Sequence, residues 1–479
     1  MSDPAKARRV YLESLGCAKT LVDSEAALGL LLGRGFRHET DPGAAELLLL
    51  NTCSFIESAR EQSVERILEL VRLKGETGAR LAVIGCLPQR YADELRDEIP
   101  EIDLLAGVGQ QAELAASLAA LFAGDDAAAV AQALTPAAPA ISFAGFLERP
   151  LLTPPHLAYL KIGEGCSRKC SFCAIPGIRG QFRSRPPEDL EAEARALAAR
   201  GVRELNIISQ DTAYYGLDAG PKGARETLLP LMRRLSAVDG LEWIRVFYLH
   251  PTLVDLPDLL ELFALPKVLP YLDMPIQHAS ASMLKLMRRG HGPERLTELF
   301  GGLRAERPDM TFRSTVLVGH PGETEDDLAT LLDFLGEHGF DHLGVFGYSR
   351  EEGTASPSLG PAVPAESVAE RVEAVQLAQM ACSEERAASW VGRRVRAVVE
   401  ATATLGEGLP PERCLDPLAS APFPSARAAL RGPREAYEVD GHLFLDDDAG
   451  LAPGDWVEVE VIESDVYDLR GRLTGPALP

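Results

Sequence analysis

Residues 165–173, GCSRKCSFC, carry three cysteines in one short stretch, directly after the apolar strand-like run 158–165. Cys166, Cys170 and Cys173 have the spacing C-x3-C-x2-C, and three thiols this close cannot all point into a core. Zinc sites favour paired C-x2-C units or histidine partners, and no histidine lies nearby. Three cysteines can instead hold a [4Fe–4S] cluster, which normally takes four, and leave one iron open to a small molecule. Three unrelated core cysteines are the alternative.

This loop resembles the cluster loop of the radical S-adenosylmethionine enzymes, and Phe172 matches their usual aromatic position before the third cysteine. The resemblance implies that the open iron chelates the amino and carboxylate groups of S-adenosylmethionine. An electron from the cluster would then break the sulfonium bond and give a 5′-deoxyadenosyl radical. In such enzymes the cofactor supplies the chemistry, and the protein supplies position and exclusion of water.

The composition is that of a globular protein of two to four domains, with 479 residues of which 46% are apolar. No stretch of 18 uncharged apolar residues occurs, and the N-terminus shows no apolar signal region, so we expect a cytoplasmic protein without a membrane span. In a reducing compartment, eight cysteines indicate metal ligands or core residues rather than disulfides. The net charge of −23 argues against nucleic acid and favours a cationic partner.

Residues 1–120 alternate strand-like and helix-like segments, which predicts an α/β domain built on a parallel sheet. The strand candidates are 9–16, 46–53, 80–86 and 102–109. Cys17, Cys53 and Cys86 each lie at or just past the carboxyl end of one of these strands. Such ends share one edge of a parallel sheet, so the three thiols are predicted to meet there. Burial as small hydrophobic residues, a common fate of free cysteine, is the alternative.

The middle of the chain, residues 151–388, follows a proline-containing linker at 121–150 and repeats a strand–helix pattern six times. The strand candidates are 158–165, 204–210, 243–249, 271–277, 311–319 and 342–349. Six such repeats predict a partial (β/α)6 barrel, short of the usual eight. The radical S-adenosylmethionine enzymes are similar, with a barrel whose mouth is open to a large substrate.

Polar residues follow several of these strands, where a barrel carries its chemistry. Arg313 is a candidate partner for the carboxylate of S-adenosylmethionine, because guanidinium groups bind carboxylates in a bidentate way. The other candidates for binding this cofactor, besides Phe172, are Gln210, Asp211, Gln277, Gly319 and Glu323. For each of them, a loop cap or a structural hydrogen bond is the alternative.

Residues 389–475 show short segments that alternate apolar and polar positions, which predicts a small antiparallel β-barrel. The segments 395–402, 435–441, 442–448 and 455–473 carry the pattern. The position of this domain resembles that of the TRAM module, an OB-like barrel that often holds nucleic acid. From residue 390 onward, however, nine arginines and no lysine face sixteen acidic residues. The composition favours a cationic protein as partner, and a merely solvated surface is the alternative.

Longer segments are similar to signatures of the methylthiotransferases, a family within the radical S-adenosylmethionine enzymes. The similar segments are SLGCAKTLVDSE (14–25), NTCSFIESARE (51–61), GCLPQR (85–90), ISQDTAYYG (208–216), YLDMPIQHAS (271–280), STVLVGHPGETEDD (314–327) and GYSREEGTAS (347–356). The resemblance implies that Cys17, Cys53 and Cys86 bind a second [4Fe–4S] cluster, again with an open iron. The glutamates of REEGT (350–354) resemble the branch that acts on a ribosomal protein.

The function implied is methylthiolation of the β-carbon of an aspartate in small-subunit ribosomal protein S-twelve. The radical would remove a hydrogen atom from that carbon, and the methylthio group would come from the N-terminal cluster. A second S-adenosylmethionine would supply the methyl group, and an electron donor is required. The alternative is an enzyme of the same chemistry that acts on an adenosine of transfer RNA.

Overall fold

A computed structural model of the protein describes residues 7–124, 141–219, 226–403, 417–448 and 450–475. Residues 125–140 of the predicted linker lie outside this part of the chain. The backbone divides into two compact units. The first unit comprises Met1–Thr153, Leu157–Gly240 and Ser349–Thr354, and the second comprises Pro154–His156, Leu241–Tyr348 and Ala355–Pro479. The predicted domain limits stay a prediction.

The first unit begins with a five-stranded parallel sheet in the order β2-β1-β3-β4-β5. Its strands are β1 Arg8–Ser14, β2 Phe36–Glu39, β3 Leu47–Thr52, β4 Arg80–Gly85 and β5 Leu104–Ala106. Its helices are α1 Ala18–Leu32, α2 Glu57–Thr77, α3 Cys86–Glu98 and α4 Gln111–Ala123. This architecture confirms the predicted N-terminal α/β fold.

Strand β3 shows why these residues form a central strand. All six residues of LLLLNT are buried, as expected for a parallel strand that is covered on both faces. Leu47 and Leu49 pack with residues of α1 and α4, whereas Leu48 and Leu50 pack with residues of α2 and α3. The alternation of a strand thus places successive leucines in two separate cores.

Two features of this domain differ from the sequence prediction. Strand β2 was not predicted, because its four residues, Phe-Arg-His-Glu, contain a single apolar side chain. The helical pattern of residues 24–35 predicts a later start for α1, but this helix begins at Ala18, because Cys17 is its N-cap and the chain enters the helix shortly after β1.

A second parallel sheet has six strands in the order β13-β12-β11-β10-β9-β6. Strands β6 (Leu157–Lys161) and β9 (Glu204–Ile208) belong to the first unit and pair in parallel. The other four are β10 Trp243–Val246, β11 Val268–Asp273, β12 Thr311–Val318 and β13 His342–Gly347, which pair in parallel in that order. Six parallel strands with intervening helices confirm the predicted partial (β/α)6 fold.

The connecting elements complete this part of the chain. A short hairpin pairs β7 (Gly163–Glu164) with β8 (Arg183–Ser184) in the first unit and encloses the C-x3-C-x2-C loop. The helices are α5 Ile175–Arg179, α6 Pro187–Ala199, α7 Leu228–Ser236, α8 Leu256–Phe263, α9 Ala281–Leu286, α10 Pro293–Glu306, α11 Glu325–His338 and α12 Ala365–Ala388. Helix α11 has a capping box in which Thr324 and Asp327 satisfy each other's backbone N–H groups, so its start is strongly defined.

The second unit ends in a closed five-stranded barrel in the order β14-β15-β16-β18-β17. Its strands are β14 Arg394–Thr402, β15 Ala428–Arg431, β16 Leu443–Leu445, β17 Trp456–Ser464 and β18 Leu469–Leu473. The predicted small barrel is therefore confirmed, with one correction. The pair β16·β18 is parallel, whereas the other four pairs are antiparallel.

The segment 435–441 was predicted as a strand and is instead a turn. The Asp440 carboxylate accepts a hydrogen bond from the N–H of Ala436 at 2.8 Å, and Glu438 has the left-handed φ of 62°. This local bonding outweighs the alternating pattern, as aspartate often does in turns. The strand that the prediction missed is β15, whose four residues are all buried.

None of the helices within the described ranges combines the length and the apolar character needed to cross a membrane.

Candidate functional site

The first cysteine triplet lies at the carboxyl edge of the N-terminal sheet, as the sequence predicts. Cys17 follows β1, Cys53 follows β3 directly, and Cys86 follows β4 and opens α3. The loops are in contact, since a Cβ placed on Gly16 would lie 2.9 Å from the Cβ of Cys53. The hydroxyl of Ser54 donates to the carbonyl oxygen of Cys86 at 2.9 Å. Three strand ends therefore bring the thiols to one place.

The environment of these thiols is not uniform. Burial and the neighbouring Cys86 and Cys17 together raise the pKa of Cys53 to about 11. Burial also raises the pKa of Cys86. Cys17 is exposed, and the charges of Lys19 and Arg179 outweigh the desolvation of its sulfur and lower the pKa of this thiol to about 7. The three thiols belong to loops that contact one another, and a metal would displace their protons on binding.

The second triplet is held by a single loop. The N–H of Cys166 donates to the carbonyl oxygen of Gly180 at 2.9 Å. The N–H of Cys173 donates to the carbonyl oxygen of Cys170 at 3.3 Å. Gly165 has a φ of +78°, and a Cβ there would lie 2.5 Å from the carbonyl oxygen of Gln181. Only glycine fits such a close backbone approach. Burial raises the pKa of Cys166 to about 11.

The donor chemistry of both triplets fits iron–sulfur clusters. Each offers three thiols, and soft thiolate donors select iron–sulfur clusters or zinc over hard cations. Among the described residues, no three His, Cys, Asp or Glu side chains converge in the way that one metal ion requires. A cluster binds each cysteine at a different iron, so its ligands surround the cluster rather than converge on a point.

A buried group of four charged residues joins the two cysteine loops, and we call it the charge bridge: Asp23, Lys161, Glu164 and Arg179. Lys161 Nζ contacts Asp23 Oδ1 at 2.5 Å and also contacts Glu164. Arg179 Nη1 contacts Asp23 and Glu164, each at 3.1 Å. Burial would raise the pKa of Glu164, but Lys161 and Arg179 outweigh it and lower this pKa to about 2. Glu164 therefore stays ionised at neutral pH.

The sequence prediction missed this charge bridge. A lysine within the apolar strand 157–161 was the available signal, because lysine is rarely buried without a partner. Arg179 and Asp23 gave no local signal, since each follows an ordinary helical or loop pattern.

Three predicted cofactor-binding residues lie in the first unit. Phe172 is half-buried within the loop of the second triplet. Gln210 follows β9, and its Nε2 donates to Glu164 Oε1 at 3.1 Å, while its buried carbonyl oxygen has no partner among the described residues. Asp211 accepts a hydrogen bond from Arg168 Nε at 2.7 Å. Gln210 thus connects the predicted cofactor site with the charge bridge.

The other four predicted residues lie in the second unit. Gln277 follows β11 with a φ of +72°, a strained conformation that is common at functional sites. Arg313 contacts Asp273 and Asp440, each at 3.4 Å, near the start of β12 rather than at its carboxyl end. Glu323 is buried and accepts from the N–H of Gly319 and from Arg371 Nη1. Cofactor binding by these residues stays a prediction, and Arg313 and Glu323 already have partners within the chain.

The REEGT segment is attached to the N-terminal domain within the first unit. Glu351 is buried and forms ion pairs with Arg60 and with Arg90, the latter at 3.0 Å. Arg90 also donates to the carbonyl oxygen of Ser54 at 2.7 Å, beside Cys53. The next residue, Glu352, is exposed. The two glutamates therefore have different environments.

Two family models match successive parts of the chain. Residues 9–107 match the uncharacterized protein family UPF0004, and residues 160–335 match the radical SAM superfamily. The chain is 41% identical to the ribosomal protein uS12 methylthiotransferase RimO of Sorangium cellulosum, over 97% of this chain and 91% of that protein. The RimO protein of Pelotomaculum thermopropionicum is 39% identical, over 97% and 99%.

The chain belongs to the RimO family. The prediction of a radical S-adenosylmethionine methylthiotransferase of the ribosomal-protein branch is thereby confirmed, and the transfer-RNA alternative is not favoured.

Solved structures support the RimO-family fold. The radical S-adenosylmethionine methyltransferase TsrM of Kitasatospora setae, solved with cobalamin and a [4Fe-4S] cluster, has a TM-score of 0.54. It is 16% identical and covers 71% of this chain and 72% of its own. The cobalamin-dependent radical enzyme OxsB has a TM-score of 0.50 at 14% identity, over 77% and 56%. At these identities the likeness concerns the fold alone.

Proposed function

We propose that this chain transfers a methylthio group to the β-carbon of an aspartate in ribosomal protein uS12. The observation that carries the proposal is the meeting of two cysteine triplets at one buried charge bridge, in a chain that matches RimO proteins along 97% of its length. One incomplete set of ligands would indicate radical chemistry alone. Two adjacent sets are what the insertion of a sulfur group into a carbon–hydrogen bond requires.

Each triplet holds one [4Fe–4S] cluster. Cys166, Cys170 and Cys173 would hold the cluster that takes S-adenosylmethionine, and Cys17, Cys53 and Cys86 would hold the other cluster. When bound, these groups supply electron transfer, hydrogen removal from carbon and the sulfur atom. An electron donor would have to supply the electron to the cluster at Cys166, Cys170 and Cys173.

The side chains around the triplets fix these groups and exclude water. Lys161, Glu164 and Arg179 are at most 3% exposed, so the charge bridge fills the space between the two loops without admitting solvent. A dry surrounding matters because water would divert a reactive intermediate. Ionised partners on both sides keep each buried charge compensated.

Among the predicted cofactor-binding residues, Gln210 and Gln277 are the strongest candidates. The buried carbonyl oxygen of Gln210 lacks a partner among the described residues, and a bound amine or hydroxyl group would satisfy it. Gln277 has a strained backbone, and residues with such strain cluster at ligand-binding sites. Phe172, Asp211, Arg313, Gly319 and Glu323 remain proposed contacts of S-adenosylmethionine.

The substrate is a cationic protein of the ribosome, which fits the charge of the C-terminal barrel. Glu458, Glu463 and Asp465 are exposed on β17 and its following turn. Such a surface repels phosphate groups and attracts lysine-rich and arginine-rich segments. The family assignment and this surface favour the same substrate class, and a cytoplasmic location follows from that substrate.

The proposal is tested by anaerobic incubation of the reconstituted protein with reductant, S-adenosylmethionine and either purified uS12 or transfer RNA. We expect mass spectrometry to show the gain of one methylthio group on an aspartate of uS12 and none on the RNA. Cys170→Ala should abolish both this product and the release of 5′-deoxyadenosine. Modification of the RNA alone would overturn the proposed substrate.

A further inference from the structure

Arg179 connects the loop of one cysteine triplet with a sulfur atom of the other. It is the last residue of α5, which begins two residues after Cys173, and it is only 2% exposed. Its Nη2 nevertheless donates to Cys86 Sγ at 3.5 Å, within the range of hydrogen bonds to sulfur. A cation from the second loop thus reaches the first triplet.

The same guanidinium is fixed from its other side. Arg179 Nη1 lies 3.1 Å from both carboxylate oxygens of Glu164. Glu164 also accepts a hydrogen bond from the N–H of Gly165 at 3.0 Å, and Gly165 immediately precedes Cys166. A displacement of the Arg179 head group would therefore be felt at the start of the second loop.

We propose that Arg179 is a positioning residue that raises the reduction potential of the cluster held by Cys17, Cys53 and Cys86. The proposal rests on the proposed function, because it requires a cluster at that triplet. Hydrogen bonds to cysteine sulfur and nearby charge are among the factors that set the potential of such clusters. A buried cation stabilises the reduced form, which carries one more negative charge, more than the oxidised form.

Arg185 offers a matched control for this inference. It is 3% exposed, pairs with Glu193 at 2.6 Å and donates to the carbonyl oxygen of Lys161 at 2.9 Å. Its contacts within the described ranges include no cysteine sulfur. A purely structural role for buried arginines predicts similar effects of replacing Arg179 and Arg185.

The test uses full-length protein in which Cys166, Cys170 and Cys173 are replaced by alanine, so that the remaining cluster can be studied by itself. Its reduction potential is measured by a redox titration followed by electron paramagnetic resonance. We expect Arg179→Gln to lower the ratio of reduced to oxidised cluster at a fixed applied potential about tenfold. This corresponds to a fall in the reduction potential of about 59 mV for one electron. Arg185→Gln should leave the potential unchanged.

The outcomes separate the inference from the proposed function. An unchanged potential in Arg179→Gln with normal iron content would overturn the inference and leave the proposed function intact. Should Arg179→Gln lose its iron, Arg179→Lys carries the test, because it keeps the charge but not the guanidinium fork. Because the charge is kept, we expect Arg179→Lys to lower the potential by less than Arg179→Gln, through loss of the hydrogen bond to Cys86. An unchanged potential in Arg179→Lys would overturn the inference that Arg179 acts on the cluster through that hydrogen bond. Absence of any cluster in the protein with Arg179 intact would overturn both.

Discussion

The two cysteine triplets obtain their geometry in different ways. Cys166, Cys170 and Cys173 belong to one loop, which closes through a hydrogen bond from Cys166 to Gly180. The triplet of Cys17, Cys53 and Cys86 exists only when three parallel strands have formed their sheet. Local sequence therefore determines one site, and tertiary structure determines the other. Two sets of three cysteines can therefore differ in how much iron they lose when the surrounding backbone is altered.

Removal of a whole triplet should have the largest effect. Because the sites have separate ligands, replacing Cys17, Cys53 and Cys86 by alanine should leave about half of the iron after anaerobic reconstitution. This variant should still release 5′-deoxyadenosine. The reciprocal replacement of Cys166, Cys170 and Cys173 should also keep about half of the iron, but should release none of this product. Loss of all iron in either variant would contradict the separation of the sites.

A single added methyl group should distinguish the sites more finely. Gly16 has a φ of +101°, and its Cβ in Gly16→Ala would lie 2.9 Å from Cys53 Cβ, so the first triplet should lose its iron. Gly35 is the matched control, with a φ of +87° and no atom within 4 Å of an added Cβ. Each variant should lose about 1–2 kcal/mol of stability from backbone strain, measured by denaturant unfolding. Only Gly16→Ala should lose iron, and equal iron contents would show that the Cys53 contact is irrelevant.

The C-terminal barrel provides the region where the smallest effect on iron is expected. Burial would raise the pKa of Glu400, but Arg431 at 2.8 Å and His156 at 3.3 Å outweigh it and lower this pKa to about 2. A carboxyl group whose pKa is lowered on folding stabilises the fold at pH values above 4.5, its ordinary pKa. This contribution is lost as the pH falls towards 2, the lowered pKa.

Glu400→Gln should therefore lower the free energy of unfolding at pH 7 by about 3 kcal/mol. The difference in free energy of unfolding between the variant and the parent protein should shrink as the pH falls from 4.5 to 2. It is measured by denaturant unfolding without iron. The iron content at neutral pH should stay unchanged. A difference that persists at pH 2 would mean that packing, rather than charge, is lost.

The positions of the six cysteines were predictable because both kinds of site follow simple rules. The local triplet is visible as a motif, and the dispersed triplet follows from the common edge of parallel strands. Arg179 was not predictable, since its contact with Cys86 depends on how α3 packs near α5. The strand proposed for 435–441 was wrong because hydrogen bonds of Asp440 form a turn. The alternation of apolar and polar residues indicates which side chains can be buried in a strand. It does not show where a side-chain hydrogen bond, such as that of Asp440, holds the backbone in a turn.

The attachment of Glu351 has a consequence for how relatives are sorted by substrate. Its carboxylate is occupied by Arg60 and Arg90, whereas Glu352 beside it is exposed. A change at position 351 would first loosen the segment from its anchor and only indirectly alter what is recognised. The two adjacent glutamates therefore differ in structural part, one being a buried anchor and the other an exposed side chain, and a comparison of homologues that treats the two letters as equivalent would confuse them.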